Sequence, residues 1–192
     1  MAVHTAHAPT YQSKVSLARL GLWLFILSDS FVFLGLLVTR FYLLGGRRPE
    51  LDQTVGFIVT AVLLLSSFFM NRAETAIAHG DQRRFLTGTL LTTLLGLGFL
   101  AGVVGVEWPS APFSASGSAE GAVFFMMTGM HAFHVLTGVM FLAVVYLNGR
   151  KGIYTADRHF AVEACANYWH FVDVVWIFFY PALYLIGTVA GG

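Results

Sequence analysis

The chain has 192 residues, 57% of them hydrophobic and 11% charged, with a mean hydropathy of +0.72, which is more apolar than a soluble domain of this length needs for its core. Eleven basic and ten acidic residues leave a formal charge of +1, so there is neither the broad basic surface that nucleic acid requires nor an acidic tail. The lone Cys165 excludes a disulfide framework within the chain and a cysteine-based metal cluster, and the expected solvent is lipid.

A helix needs about 20 mostly apolar residues to cross the ~30 Å hydrocarbon layer, where every backbone N–H and C=O has to be bonded within its own segment. The N-terminal tail lacks the charged start, short apolar run and small-residue cleavage site of a signal peptide, so targeting is expected to come from the spans themselves. Five stretches meet the length test, at residues 17–39, 54–70, 87–106, 121–147 and 164–189. Runs such as Val62-Leu63-Leu64-Leu65 and Phe124-Phe125-Met126-Met127 are continuous rather than alternating, which distinguishes helices from the strands of a membrane barrel. The expected fold is all-α, an integral membrane bundle of five transmembrane helices in a single domain covering residues 1–192. The connection WPSAPFSASGS, residues 108–118, is expected to be irregular.

Basic residues orient the bundle, because Lys and Arg are retained on the cytoplasmic side. Lys14, Arg19, Arg72, Arg83, Arg84, Arg150, Lys151 and Arg158 fall on the N-terminal side and in the second and fourth connections, against Arg40, Arg47 and Arg48 opposite. The N-terminus is therefore expected in the cytoplasm and the C-terminus outside.

Ionisable side chains inside a span cost several kcal/mol unless paired, neutralised or facing water. Asp29, between Ser28 and Ser30, lies about 18 Å into the first span at 1.5 Å per residue. It reads either as a packing group satisfied by hydroxyls or as part of a proton path. His131 and His134 are three apart on the fourth span and share a face. Two imidazoles begin a metal site without completing one, and a hydrogen-bonded buried pair is the plainer account. Glu163, His170 and Asp173 lie along one stripe of the fifth span, as an ion-paired seam between helices would. Tryptophans and tyrosines beside the spans are read as structural, and Gly96, Gly98, Gly102, Gly129 and Gly138 as points of close helix approach. Ser66 and Ser67 are expected to bond back to their own helix.

The segment YWHFVDVVWIFFYPALYLIG, residues 168–187, resembles the last helix of subunit III of haem-copper terminal oxidases, and TGMHAFHVLTG, residues 128–138, that family's two-histidine helix. HFAVEA at 159–164, RLGLWLFILSDSFVF at 19–33 and LLLSSFFMNRAETAIAHG at 63–80 resemble the entry to the final helix and the first two common helices. The order and spacing match over nearly the whole chain, which corresponds to the last five spans of seven-helix members. The resemblance implies a non-redox accessory subunit of a proton-pumping oxidase that reduces dioxygen, in a bacterial cytoplasmic membrane. It further implies catalytic subunit I and subunit II as partners, haem and copper held by those partners and none by this chain, bound phospholipid, and cytochrome c as donor to the complex. Tyr168, Val172 and Glu163 look like the cytochrome c branch, whereas Asp29 stands where that branch commonly has Glu and quinol oxidases often have Asp; Val104 replaces a family glutamine. The six residues Asp29, His131, His134, Glu163, His170 and Asp173 are expected to form a buried polar network that supports packing or proton uptake. From other classes, the rivals are an independent membrane metalloenzyme built on His131, His134 and His170, and a small transporter.

Overall fold

The computed structural model describes residues 11–189; the stretch before Tyr11, part of the tail read for a targeting signal, lies outside them. Five long helices dominate: α1 Tyr11–Leu44, α2 Gln53–Ala78, α3 Gln82–Gly102, α4 Ala119–Arg150 and α5 Phe160–Tyr180. Polar residues in the connections start three of them. Asp52 accepts hydrogen bonds from the Thr54 and Val55 amides at 2.8 and 3.2 Å, Asp81 from Arg84 at 3.0 Å, and Ser118 from Gly121 at 3.0 Å. Each satisfies amides that the first helical turn leaves without a carbonyl.

Two helices pass into wider π turns at the same end of the bundle. α3 runs on through Val103–Glu107 and a further α turn at Trp108–Ser110, so the irregular connection expected from residue 108 begins only at Ala111. α5 continues through Pro181–Leu185. The fifth expected span reached residue 189, but the chain leaves the helix earlier: Gly187 turns it at φ 110°, a conformation open mainly to glycine. Thr188–Val189 then forms β2, which pairs in parallel with β1, Arg47–Arg48. These two short strands, with an isolated bridge between Thr155 and Arg158, are the β structure among the described residues.

α2, α3, α4 and α5 form a closed ring, each packed on the next, and α1 lies outside it against α4 and α5. Few α1 side chains are therefore buried: Ile26, Phe33, Arg40 and Leu44. Four helices are long and apolar enough to cross a membrane, α1, α2, α4 and the extended α3 of Gln82–Ser110. α5 is the most enclosed helix of the ring at its centre. Trp169, Val172, Asp173 and Trp176 are all buried.

Trp169 shows how the ring is sealed. A β-carbon on Gly96 of α3 would stand 2.5 Å from its ring and one on Gly138 of α4 2.9 Å, while its indole N–H donates to Ser66 Oγ of α2 at 2.9 Å. One side chain thus joins four helices, and the glycines make the room. Gly98 and Gly129 do not share this role, since a β-carbon at either would meet its nearest neighbour at 3.8 Å, an ordinary contact.

Candidate functional site: polar contacts inside a membrane bundle

α1 is tied to the ring by polar contacts at three levels. Near its start, Arg19 donates Nε and Nη2 to the two carboxylate oxygens of Glu163 on α5, at 2.8 and 2.7 Å. This fork-to-fork geometry is the favoured one for guanidinium and carboxylate. The pair faces outward, with side chains 52% and 22% exposed, so its contribution is screened. Ten residues on, about 15 Å along the axis, Asp29 Oδ2 lies 3.2 Å from Nε2 of His134 on α4. The Nδ1–H of His134 donates to the Met130 carbonyl at 2.7 Å, while Asp29 Oδ2 is buried with no hydrogen-bond partner among the described residues, so the two groups meet by proximity rather than through a hydrogen bond. Phe33 packs edge-on to the His134 ring at 4.7 Å. Leu22, Phe25, Phe133, Phe141, Thr137 and Tyr168 complete a groove of 530 Å³ around the pair.

The third level escaped sequence reasoning. Arg40, counted above only as a charge for orientation, is fully buried. It donates to the carbonyls of Ala182, Gly45, Arg47 and Ile186 at 2.6 to 2.9 Å. Those acceptors belong to the end of α1, to β1 and to the π turn after α5, where helix ends leave carbonyls without amide partners. A guanidinium supplies donors in a fixed plane and closes this end of the bundle. Its place at the end of α1, followed by the glycine pair Gly45 and Gly46, was the available signal.

Of the six expected network residues, the structure joins Asp29 with His134 and leaves the others in separate contacts. Glu163 belongs with Arg19. His170 Nδ1 lies 2.7 Å from Ser67 Oγ of α2, so Ser67 serves a neighbouring helix, whereas Ser66 does bond back, to the Leu63 carbonyl at 2.6 Å. Asp173 is buried beside the same Ser67, yet its carboxylate oxygens have no hydrogen-bond partner among the described residues. His131 is wholly buried between Trp176 and Phe99, at ring separations of 4.8 and 5.5 Å, and neither ring nitrogen has a partner among the described residues. No hydrogen bond among the described residues links these contacts into one network.

The three histidines proposed for a metal are consequently apart in their engagements: His134 with Asp29, His170 with Ser67, His131 in an aromatic cage. No group of three or more His, Cys, Asp or Glu placed to hold a metal occurs among the described residues. The arrangement can hold a proton at mid-membrane, between Asp29 and His134, and can carry an ion pair at one edge.

A family model described as cytochrome c oxidase subunit III matches residues 2–188. The chain is 37% identical over 195 aligned positions to cytochrome c oxidase subunit 3 of Cyprinus carpio, covering 95% of this chain and 73% of that protein. The same coverage holds for the Danio rerio protein, also 37% identical, and for that of Gallus gallus, 36% identical. With the five-helix bundle and its four apolar spans, these matches show that the chain belongs to the cytochrome c oxidase subunit III family, as a non-catalytic accessory subunit, integral to the membrane, of a haem-copper oxidase complex.

Proposed function

We propose that this subunit supports proton delivery to the catalytic subunit while steadying that subunit and nearby phospholipid in the membrane. The Asp29–His134 contact carries the reading: a carboxylate and an imidazole meet at 3.2 Å in the middle of a span, with side chains only 10% and 14% exposed for histidine and aspartate respectively. A protonatable pair at that depth carries a desolvation cost, which points to a role in packing or proton handling. It can take up or release a proton without a metal, and it can act on nearby groups through a weakly screened field. Lipid fits the apolar cleft of 340 Å³ between α1 and α5, lined by Phe33, Leu34, Leu37, Phe171 and Val174 among others.

In this reading the whole chain is one membrane domain in a bacterial cytoplasmic membrane. Its N-terminus faces the cytoplasm, supported by the excess of Arg and Lys on that side. Its partners are catalytic subunit I and subunit II, which hold the haem and copper, and cytochrome c is the donor. The relatives' names support that donor over a quinol.

Substitution of Asp29 by Asn in the assembled complex separates proton handling from packing. The expected outcome is intact assembly with slower proton uptake, measured by pH-indicator absorbance during turnover. Unchanged uptake and turnover would sink the proton role, and loss of assembly would assign Asp29 to packing alone.

A further inference from the structure

A second polar groove lies away from the Asp29 region, where α2 and α3 meet at their shared turn. It has a volume of 980 Å³ and is lined at one end by Phe68, Phe69 and Leu91 and at the other by Arg72, His79, Arg83 and Arg84. The eleven steps from Phe68 to His79 rise about 16 Å along α2, so the groove passes from hydrocarbon depth to the level of the turn. Leu64 and Leu94, one turn deeper on each helix, are 42% and 55% exposed and continue its apolar end.

The polar end is short of anions. Asp81 is its one carboxylate, and it is already engaged, capping the Arg84 amide at 3.0 Å and pairing with Arg84 Nε at 3.2 Å. The Thr75 and Thr87 hydroxyls donate to carbonyls of their own helices, and His79 is tied through Nδ1 to the Thr75 carbonyl at 2.8 Å. Arg72 stands with its guanidinium 5.7 Å from the centre of the Phe68 ring, at the border between the two ends. Neither Arg72 nor Arg83 has a carboxylate partner among the described residues. Like charges gathered around one groove attract an anion.

We propose that this groove is a binding site for an anionic phospholipid, its phosphate held by Arg72 and Arg83 and its acyl chains laid along Phe68, Leu91 and the leucines below them. Acidic protein would use the arginines but has no call on the apolar end. Free phosphate would likewise leave that end uncovered. Basic side chains at headgroup depth beside apolar helix faces are the arrangement that anionic lipid recognises. The site is separate from the α1–α5 cleft, so it stands or falls independently of the proton-support reading.

The test uses the purified oxidase complex, stripped of exchangeable lipid and reconstituted with phosphatidylglycerol or phosphatidylcholine, with retained lipid read by native mass spectrometry. Arg72→Gln with Arg83→Gln is expected to weaken phosphatidylglycerol retention about 30-fold, two arginines at about 1 kcal/mol each converted at 1.4 kcal/mol per tenfold. The pair Arg150→Gln and Lys151→Gln, on another connection, is expected to retain it. Should the glutamine variant fail to assemble, Arg72→Lys with Arg83→Lys keeps the charge and is expected to hold the lipid, and rising salt is expected to release it from the unaltered complex. Equal retention by the Gln variant, equal binding of phosphatidylcholine, displacement by inorganic phosphate alone at equal concentration, salt-insensitive retention, or cross-linking of the groove to an acidic segment of another subunit would each overturn the proposal.

Discussion

Arg40 is the side chain whose loss should be felt most. It is fully buried and satisfies four carbonyls at once, so Arg40→Met would fill similar space while leaving those acceptors unpaired. The expected loss is on the order of 3 kcal/mol, the scale of one or two hydrogen bonds to a charged donor. It would appear as a lower unfolding temperature of the detergent-solubilised complex. His131 predicts the opposite sign. Its ring nitrogens have no partner among the described residues, and its neighbours are Phe99, Trp176 and Phe179. His131→Phe removes two unpaired polar atoms from an aromatic cage. It is expected to leave thermal stability unchanged or raise it, since an orphaned buried polar group contributes a desolvation cost and no bond. A marked fall in unfolding temperature would show instead that His131 holds a partner such as an internal water.

The helices divide into a ring and an attachment. In the ring, contact is so close that a single methyl matters. Gly96→Ala would press a β-carbon against Trp169 at 2.5 Å and Val139 at 3.0 Å, and the expected destabilisation is roughly 1–3 kcal/mol, as for other overpacked cores. Gly35→Ala on α1 meets nothing within 4 Å. It should be neutral or stabilise by up to about 1 kcal/mol through helix propensity. Thermal scans of the two variants side by side check the contrast, and equal effects would contradict the division. α1 itself keeps its position through Arg19, Asp29 and Arg40, one contact with α5, one with α4 and one with the turn after α5. Its remaining apolar surface, Leu20, Trp23, Leu24 and Leu27 among others, is more than half exposed. Lipid or a neighbouring subunit can cover it, because both present apolar atoms.

For the molecule as a whole, the expectation is assembly with redox subunits rather than redox chemistry of its own. Purification from native membranes in mild detergent should yield this chain together with haem-bearing subunits, giving reduced-minus-oxidised haem spectra and oxygen consumption. Reduced cytochrome c is expected to support that consumption more effectively than a quinol. A homogeneous chain with stoichiometric metal and no haem partner would instead revive the metalloenzyme reading. The geometry offers that reading little, since the three histidines are engaged separately and no group of three potential ligands converges among the described residues.

What the sequence by itself determined was the class of molecule and its family. Long apolar runs are legible because lipid leaves a helix few alternatives, and segments such as YWHFVDVVWIFFY specify the family through the order of bulky and polar residues. Residue spacing also put Asp29 within a span and His131 and His134 on one face. Spacing along one helix, however, does not say which neighbouring helix supplies a partner. Only the tertiary structure decided that Asp29 meets His134 while His131, three residues away, faces an aromatic cage. It also decided that Ser67 serves His170, and that Arg40 turns inward to close four loose carbonyls. Those outcomes depend on how the helices rotate and cross, which is set by close packing around Trp169 and the glycines rather than by the pattern of any one segment.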